Sequence, residues 1–336
     1  MTWTAIHAQI HTLLKTKRLL PKETTILMAV SGGQDSLCMA KLLLDLQPKW
    51  HWRLSIVHCD HGWREDSREN ATHVEQLAKQ WEVPFFLENA EELPATEAAA
   101  RQWRYERFQA VAEANRYSQV VTGHTATDRA ETLLYNLLRG SGANGLQALA
   151  WQRPLSSTTQ AILVTRPLLT LTRQQTGEFC QELALPIWQD TSNDDWRYRR
   201  NRIRQELMPY LRSHFNPRAE TTLAQTAEIF TAEVNYLEAQ AKQLYADAVK
   251  PMDNGWKIQR AVFKDAPLAL QRRVARQLLQ QALPQQPNFE HIEKLVALAD
   301  APNHSQTDPF PGGLLARVIG VDIQLLHLPL PPDDAT

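Results

Sequence analysis

A pair of adjacent glycines between an apolar run and a helical segment constrains this chain more than any other feature. The run at residues 25–30, TILMAV, has the composition of a strand buried inside a parallel sheet. The sequence SGGQDS at residues 31–36 follows it directly, and residues 37–46 predict a helix. This order places the glycine loop at the carboxyl end of a parallel strand, where ligands of open α/β sheets bind.

The residues of this loop favour a phosphate site. Gly32 and Gly33 permit close approach of an oxyanion to the backbone, and the N–H groups that begin a helix attract anions. Ser31 and Ser36 supply hydroxyls, Gln34 stands between the glycines and the acid, and Asp35 supplies a carboxylate suited to Mg²⁺. The loop is neither a P-loop, which needs Lys-Ser/Thr after its glycines, nor a G-x-G-x-x-G turn. A plain turn is the alternative.

The first half of the chain alternates short β-rich runs with helix-length segments, which predicts an α/β fold with a doubly wound, mostly parallel sheet. Past about residue 190 the alternation stops, and residues 221–249 carry the apolar spacing of one long helix. The predicted domains are a catalytic ATP-binding domain at residues 1–218 and a smaller, mainly helical domain at residues 219–336 that includes this helix as a linker. The predicted strands are residues 25–30, 54–58, 84–88, 119–122 and 161–165, with a β-like run at 314–326.

Composition narrows the setting in which the protein works. The 36 basic and 37 acidic residues leave a net charge of −1, so a nucleic-acid partner must be argued from local clusters. Three scattered cysteines, Cys38, Cys59 and Cys180, form neither a disulfide framework nor a CxxC pair, which favours a reduced compartment. No apolar run reaches the roughly 18 residues that span a bilayer. We therefore expect no membrane association, no signal peptide and a cytoplasmic location.

Two further segments could face the same crevice. His58 ends the second predicted strand and His61 follows it. A metal pair, a hydrogen-bonding role and a plain strand-end turn are all open interpretations of these two residues. Arg101 and Arg104 lie on a predicted helix that starts after Thr96, a good N-cap residue. Both arginines could contact phosphate, although an ordinary amphipathic helix has the same pattern.

The segment at residues 123–132, GHTATDRAET, has the same arrangement as the first loop: a predicted strand ends in a polar turn, and a predicted helix follows. His124, Asp128 and Glu131 are expected near the carboxyl edge of the sheet. Acidic residues in a first turn also stabilise a helix through its dipole, which explains Glu131 better than it explains Asp128. The next segment, residues 139–146, is either a helix end with a flexible connection or a loop that approaches a polyanion.

The strongest local charge lies between Trp196 and Arg218, where seven arginines accompany one acidic residue, Glu206. The forked guanidinium of arginine suits phosphate, and Trp196 and Tyr198 could stack on bases, so the segment predicts RNA binding. A solvated basic helix is the alternative. The arginines are Arg197, Arg199, Arg200, Arg202, Arg204, Arg212 and Arg218.

These motifs, in this order, resemble the family of tRNA(Ile)-lysidine synthetases within the PP-loop ATP pyrophosphatase superfamily. The resemblance covers Ile26–Leu211, and the phosphate loop alone indicates only the superfamily. The histidine-strand motif together with RNRIR is much more specific. The motifs that carry the resemblance are SGGQDS, HCDHGWR, TEAAARQWRYERF, GHTATDRAET, LLRGSGANGL, RPLL and SNDDWRYRRNRIRQELMPYL.

The resemblance implies three substrates: ATP with Mg²⁺, an isoleucine tRNA with a CAU anticodon, and free L-lysine. The C2 oxygen of the wobble cytidine attacks the α-phosphorus and expels pyrophosphate. The lysine ε-amine then attacks C2, AMP departs, and lysidine is formed.

The resemblance also implies roles for particular residues. Residues 31–36 would hold the phosphates, Asp35 and Asp128 would hold Mg²⁺, and Arg202 or Arg204 would reach the α-phosphate. A base must take a proton from the lysine, and His124, Asp128 and Asp35 are unranked candidates. The residues expected to contact tRNA are Arg101, Arg104, Arg139, Arg197, Arg199 and Arg200.

The chain departs from the family at one motif. Thr125 and Thr127 stand where the family often has a histidine and an extra acid, which weakens a metal or lysine role for this turn. The short sequence after Arg218 resembles the shorter family architecture, without the additional domain that grips the acceptor stem in long members. Its 10 basic and 13 acidic residues from Thr221 onwards suggest guidance of tRNA by shape. For assembly, a homodimer is the working expectation.

Two alternatives belong to other classes. A PP-loop thiolase usually needs cysteine pairs, and the three cysteines are expected to form none; a glutamine-dependent ligase needs a glutaminase for which this length has no room. A catalytically silent nucleotide- or RNA-binding module is expected to lose Asp35 or the arginine cluster, and the chain has both.

Overall fold

The computed structural model describes residues 3–63, 65–93, 95–156, 161–189 and 199–327. The chain divides into two compact units, Met1–Thr231 and Ala232–Thr336. The assignment of catalytic and tRNA-guiding domains on either side of residue 218 is a statement about function and stays a prediction.

The first unit is built on one mostly parallel sheet. In the described residues its strands are β1 Thr25–Ala29, β2 Arg53–Asp60, β3 Phe85–Asn89, β4 Gln119–Thr122, β5 Gln152–Pro154 and β6 Leu163–Thr165. Their order is β3-β2-β1-β4-β6-β5. All neighbours pair in parallel except β5, which runs antiparallel to β6 at the edge. The expected doubly wound sheet is confirmed, and the short strand β5 was not predicted.

Helices connect these strands. In the described residues they are α1 Ala5–Thr16, α2 Gln34–Trp50, α3 Ser67–Gln80, α4 Glu97–Ala114, α5 Ala126–Leu138, α6 Ala143–Leu146, α7 Arg173–Glu182, α8 Arg199–Arg202 and α9 Met208–His214. A π-helical turn, Ile203–Leu207, joins α8 to α9. The long helix α10 Ala219–Ala248 begins in the first unit and continues past Thr231. Across the described ranges, no helix combines the length and apolarity needed to cross a membrane.

The sheet of the first unit is buried on both faces, which explains the continuous apolar run of β1. Side chains alternate along a strand, so Ile26 and Met28 pack into one hydrophobic cluster, whereas Leu27 packs into another with Val57 and Val120. A strand covered on both faces needs apolar residues at every position.

The strand order creates a crevice at the carboxyl edge of this sheet. From β1 the chain winds outwards through β2 and β3 on one side, and β4 and β6 lie on the other side. The loops after β1 and β4 therefore belong to neighbouring strands whose connections diverge, and such switch points bind ligands in open α/β folds.

The second unit combines helices with a four-stranded antiparallel sheet in the order β7-β8-β10-β9. The hairpin β9–β10 coincides with the predicted β-like run, whereas β7 and β8 were not predicted. The strands β7 and β8 expose most of their side chains, so the apolar alternation that predicts a strand is weak in both. The elements are β7 Val249–Met252, β8 Gly255–Gln259, α11 Arg260–Asp265, α12 Leu268–Ala282, α13 Phe289–Ala297, β9 Leu314–Ile319 and β10 Asp322–His327.

Candidate active site

A cavity of about 740 Å³ lies at the carboxyl edge of the first sheet. Its walls come from the ends of β1, β2 and β4, the first turns of α2 and α5, and one side of α4. The structure therefore brings together segments that are far apart in the chain. The predicted site residues in the wall are Ser31, Gly33, Gln34, Asp35, Ser36, Arg101, Arg104, His124, Asp128 and Arg204.

Gly32 gives the loop its close packing. Its φ is +86°, and a Cβ at this position would lie 2.4 Å from the side-chain oxygen of Asn70. The same asparagine donates from Nδ2 to the Ser31 carbonyl at 3.0 Å, and the Trp188 N–H donates to the Gly32 carbonyl at 3.0 Å. A side chain at residue 32 would both strain the backbone and displace Asn70.

The loop leaves a helix start available to an anion. Helix α2 begins after its N-cap residue, Gly33. No side chain caps the first N–H groups of the helix at this residue. The Ser36 hydroxyl donates to the Gly33 carbonyl at 2.8 Å and lies 3.2 Å from the Ser31 hydroxyl. The first N–H groups of α2 and two hydroxyls are thus gathered at one end of the cavity, which is an arrangement suited to phosphate oxygens.

Asp35 lies in the first turn of α2 and is held by α7. Its carboxylate accepts a 2.5 Å hydrogen bond from Thr176 Oγ1, and Arg173 Nη1 lies 4.0 Å away. Burial raises the pKa of Asp35, and the negative charge of Asp128 raises it further, against the lowering effect of Thr176 and Arg173. Gln34 is also bound to α7, since its Nε2 donates to the Arg173 carbonyl at 2.6 Å.

Gly123 brings the turn after β4 against the phosphate loop. A Cβ there would lie 2.8 Å from the carbonyl oxygen of Asp35. Only a glycine allows the two backbones to approach so closely. The contact explains why the second motif begins with glycine, and it places His124 and Asp128 beside Asp35.

Helix α5 begins with a capping box at the cavity. Thr125 is the N-cap residue, and its N–H and hydroxyl each donate to Asp128 Oδ2 at 2.8 Å. Thr127 donates to Glu220 Oε2 at 2.6 Å and accepts from the Arg173 N–H at 3.0 Å. The two threonines thus stabilise the helix start that carries Asp128.

Two arginines of the basic segment are paired with acids of α5. Arg204 donates from Nε to Glu131 Oε1 at 2.7 Å and from Nη2 to Asp128 Oδ1 at 3.3 Å. Arg200 contacts the same acids at 3.3 and 3.2 Å. The Glu131 side chain is fully buried. Glu131 therefore anchors the basic segment, a role that the helix-dipole argument missed.

Burial and neighbouring charges shift the pKa values of this cluster. Burial would raise the pKa of Asp128, but the charges of Arg200 and Arg204, together with the Thr125 backbone hydrogen bond, outweigh it and lower that pKa. Burial lowers the pKa of His124, although the Asp128 carboxylate opposes the shift, so the imidazole is neutral near pH 7. His124 Nδ1 lies 2.8 Å from the Thr122 hydroxyl.

Other predicted arginines lie elsewhere. Arg202 is 61% exposed and pairs with Glu206 at 3.5 Å, outside the cavity. Arg139 is exposed at the end of α5, with its guanidinium 5.2 Å from the centre of the Tyr135 ring. Arg199 is exposed at the start of α8. Arg197, Trp196 and Tyr198 lie outside the described residues.

The α4 side of the cavity contains residues that sequence reasoning overlooked. The Arg101 guanidinium lies 4.9 Å from the centre of the Tyr105 ring, and the buried Arg166 hydrogen-bonds to Tyr105. Burial, followed by the charge of Arg101, lowers the pKa of Arg104. The RPLL motif was the signal for Arg166, whose hydrogen bonds go to Tyr105 and to the Ala150 carbonyl.

His58 on β2 and His61 just after that strand make contacts other than metal ligation in the part of the chain that the structure describes. His58 Nδ1 donates to the Val30 carbonyl at 2.8 Å, which fixes the end of β1. The His61 ring is tilted against the Trp63 ring, with 4.7 Å between ring centres and 43° between planes. In the ranges that the structure describes, no group of three or more His, Cys, Asp or Glu residues could hold a metal ion. This favours the hydrogen-bonding interpretation of His58.

Two cysteines that are far apart in the sequence meet in the core. Cys38 on α2 and Cys180 on α7 are buried, free cysteines that hydrogen-bond to each other. This bond and burial raise the pKa of Cys38. The pairing is invisible in the sequence because it depends on the packing of α2 against α7. Cys59, which lines the cavity, has its pKa raised to about 12 by burial.

Comparison with known proteins agrees with this geometry. Residues 3–211 match the family described as the PP-loop domain. The chain is 57% identical over 332 residues to a tRNA(Ile)-lysidine synthase of Nostoc sp., with 95% of this chain and 96% of the relative covered. It is 49% identical over 330 residues to the tRNA(Ile)-lysidine synthase of Synechocystis sp., with 97% and 99% covered.

A solved structure shares the fold at low sequence identity. The U34-tRNA thiolase NcsA from Methanococcus maripaludis, described with its [4Fe-4S] cluster, superimposes with a TM-score of 0.55. The identity is 15%, and the match covers 66% of this chain and 77% of that one. This likeness concerns the fold alone.

Proposed function

Because this chain belongs to the tRNA(Ile)-lysidine synthase family of PP-loop proteins, we propose how its residues perform the chemistry of that family. The protein is an ATP-dependent ligase that forms lysidine on isoleucine tRNA. One observation carries the residue assignments: the glycine loop, Asp35, Asp128 and Arg204 line a single cavity.

The phosphate loop binds the part of ATP that leaves. The first N–H groups of α2 and the hydroxyls of Ser31 and Ser36 lie at one end of the cavity and hold the β- and γ-phosphates. When the C2 oxygen of the wobble cytidine attacks the α-phosphorus, these donors stabilise the departing pyrophosphate.

Asp35 and Asp128 fit a magnesium ion. Both are carboxylates at the cavity wall, and the charge of Asp128 raises the pKa of Asp35, so a cation between them would relieve their repulsion. When bound there, Mg²⁺ neutralises the negative charge that develops on the phosphates. Thr125 and Thr176 orient the two carboxylates through their hydrogen bonds.

Arg204 is the arginine that the proposal places at the α-phosphate. It lines the cavity, and Glu131 fixes its guanidinium plane, whereas Arg202 is directed outwards. A fixed guanidinium stabilises the charge of the pentavalent phosphorus without needing to reorganise.

His124 is our choice among the three candidate bases. Its imidazole is neutral near pH 7 because burial lowers its pKa, whereas Asp35 and Asp128 are assigned to the cation. A neutral ring nitrogen can accept the proton that the ε-amine of free L-lysine releases as it attacks C2 and AMP departs, and the Asp128 carboxylate, which opposes the effect of burial on the His124 pKa, stabilises the imidazolium that results.

The RNA partner is an isoleucine tRNA with a CAU anticodon. Arg101 and Arg104 lie in the cavity wall beside Tyr105, where they can hold the backbone next to the reacting cytidine. Arg139, Arg197, Arg199 and Arg200 stay predicted tRNA contacts, and residues 219–336 stay the predicted guiding domain. A cytoplasmic location and a homodimer are also retained as predictions.

Lysine incorporation tests the proposed function directly. Purified protein is incubated with ATP, labelled lysine and CAU-anticodon isoleucine tRNA, and the RNA is assayed for label while AMP and pyrophosphate are quantified. We expect one AMP and one pyrophosphate for each lysine incorporated. Nucleotide turnover that yields ADP, or RNA that stays unlabelled, would contradict the proposal.

A further inference from the structure

We infer that an exposed aromatic platform, formed by Tyr210, His214 and Phe215, stacks against bases of the tRNA next to the reacting cytidine. The inference rests on the proposed function and deepens it by assigning a base-binding surface outside the cavity. Nothing in the chemistry of adenylation or lysine transfer requires these three residues.

The three rings of the platform contact one another on the solvent-exposed surface. Tyr210 and His214 stack with 4.4 Å between ring centres and 25° between planes, and Phe215 lies 5.9 Å from Tyr210. Tyr210 is 53% exposed and Phe215 is 72% exposed. Single exposed apolar residues are common on protein surfaces, but a contiguous group of exposed rings favours a binding surface.

The charge around the platform indicates a polyanion. The described part of the basic segment places Arg212 and Arg218 close to the rings in sequence, and both are exposed. Arg212 pairs with Glu220 at 3.3 Å, an ion pair that leaves its side chain 46% exposed. Stacking rings flanked by arginine is how proteins hold single-stranded RNA, because every base has a face to stack and every nucleotide has a phosphate.

The position of the platform relative to the cavity indicates which part of the tRNA it meets. Residues 199–214 form one continuous helical segment through α8, the π-helical turn and α9, and Arg204 on this segment lines the cavity. At 1.5 Å per residue, Tyr210 and Phe215 lie roughly 9 and 16 Å along the axis from Arg204. Stacked nucleotides rise about 3.4 Å each, so this distance corresponds to about three to five nucleotides. The anticodon loop and the top of its stem lie within that reach.

Direct binding measurements test the platform. Wild-type protein, Tyr210→Ala and Phe215→Ala are titrated with CAU-anticodon isoleucine tRNA and with its isolated anticodon stem–loop. Loss of one stacked ring is expected to weaken binding of both RNAs roughly 5- to 100-fold. Phe215→Trp should bind like the wild type because it keeps a stacking face.

The matched control is Trp3→Ala. Trp3 is also an exposed ring, 41% accessible, that stacks on a histidine, His7, at 5.5 Å. It precedes α1, and His7 is bound to Asp45, ten positions after Asp35 along α2 or about 15 Å of helix from the phosphate loop. Trp3→Ala should therefore leave RNA affinity unchanged.

Salt dependence separates stacking from phosphate contact. In Phe215→Ala the slope of log Kd against log salt should equal that of the wild type, whereas Arg218→Gln should lower it by about one contact. If both alanine variants bind RNA as tightly as the wild type while the wild type incorporates lysine, the platform is wrong and the proposed function stands. If the wild type leaves the tRNA unmodified, the proposed function fails and the platform falls with it.

Discussion

The phosphate loop and the basic segment line the same cavity, yet they are built in different ways. The helix start and the two hydroxyls that face a phosphate all belong to residues 31–36, although Asn70 and Trp188 bind the loop backbone from elsewhere in the chain. Arg204 is held by Glu131, which lies 73 positions earlier in the chain. The functional groups of the loop are therefore contiguous in the sequence, whereas those of the basic segment meet their partners only through tertiary packing. Substitutions in the two regions should fail in different ways, and four predictions follow this difference from the largest effect to the smallest.

The largest effect is expected for Asp35→Ala. Removal of this carboxylate should lower lysine-dependent pyrophosphate release by roughly a thousandfold or more, because the charge on the phosphates is no longer neutralised. The fold should persist, because Asp35 contributes little to packing. Circular dichroism and the unfolding midpoint measure whether it does. Asp35→Asn keeps the shape and should be nearly as inactive. Turnover at the wild-type level in either variant would exclude a metal role for Asp35.

Arg204→Ala should affect both catalysis and stability. We expect turnover to fall about a hundredfold while ATP affinity changes little, since the arginine acts on the charge of the transition state. Unfolding free energy should also fall, by up to about 3 kcal/mol, because the buried carboxylate of Glu131 loses the closer of its two arginine partners and keeps only Arg200. Chemical denaturation and steady-state kinetics measure the two effects.

Arg202→Ala is the matched control for this prediction. Its side chain is exposed and pairs only with Glu206 on its own helix among the ion pairs of the described residues, so stability should change by less than about 0.5 kcal/mol. A second variant, Arg204→Ala with Glu131→Gln, should recover much of the stability and stay slow. Full recovery of turnover in the double variant would make Arg204 purely structural.

In the loop, neighbouring glycines should respond differently. Gly32→Ala should lower the unfolding free energy by about 1–3 kcal/mol, because residue 32 has a left-handed φ and its Cβ would collide with Asn70. Gly33→Ala should cost much less, since the nearest atom to its Cβ is Ser31 Oγ at 3.6 Å. Thermal unfolding of both variants measures the difference. Equal destabilisation would mean that the loop is not as tightly packed as the structure indicates.

The smallest effect is a change of stability with pH at the α5–α10 contact. Burial would raise the pKa of Glu228, but hydrogen bonds from Lys17, Arg129 and Trp151 outweigh it and lower the pKa below its ordinary 4.5. A lowered carboxyl pKa stabilises the fold above about pH 4.5, and this contribution disappears as the pH falls through the folded value. After solvent screening we expect about 1 kcal/mol or less.

The comparison for this prediction is Glu228→Gln. The difference in unfolding free energy between the wild type and this variant should be largest at neutral pH and should shrink in acid. A difference that stays constant from pH 7 to pH 3 would show that the charge of Glu228 contributes nothing and that only its shape matters.

Much of the first unit was predictable because its signals are local. The five predicted strands of the parallel sheet, the helix start after Thr96 and the position of the phosphate loop all depend on residues within a few positions of one another. The strands β5, β7 and β8 were not predicted because few of their side chains are buried. Strands with so few buried positions lack the pattern of apolar residues from which a strand is predicted. The sequence left three interpretations of His58 open. Its hydrogen bond to the Val30 carbonyl favours the hydrogen-bonding role.

The sequence by itself determined which chemistry the chain can perform, because a glycine loop, an acid and an arginine cluster in this order carry their own functional groups. Only the tertiary structure decided which members of those groups meet. Arg204 faces the cavity and Arg202 faces solvent, Glu131 is an anchor, and Cys38 touches Cys180. The physical reason is that successive residues of a helix point in different directions. Which neighbouring element each side chain contacts depends on the packing of the whole unit.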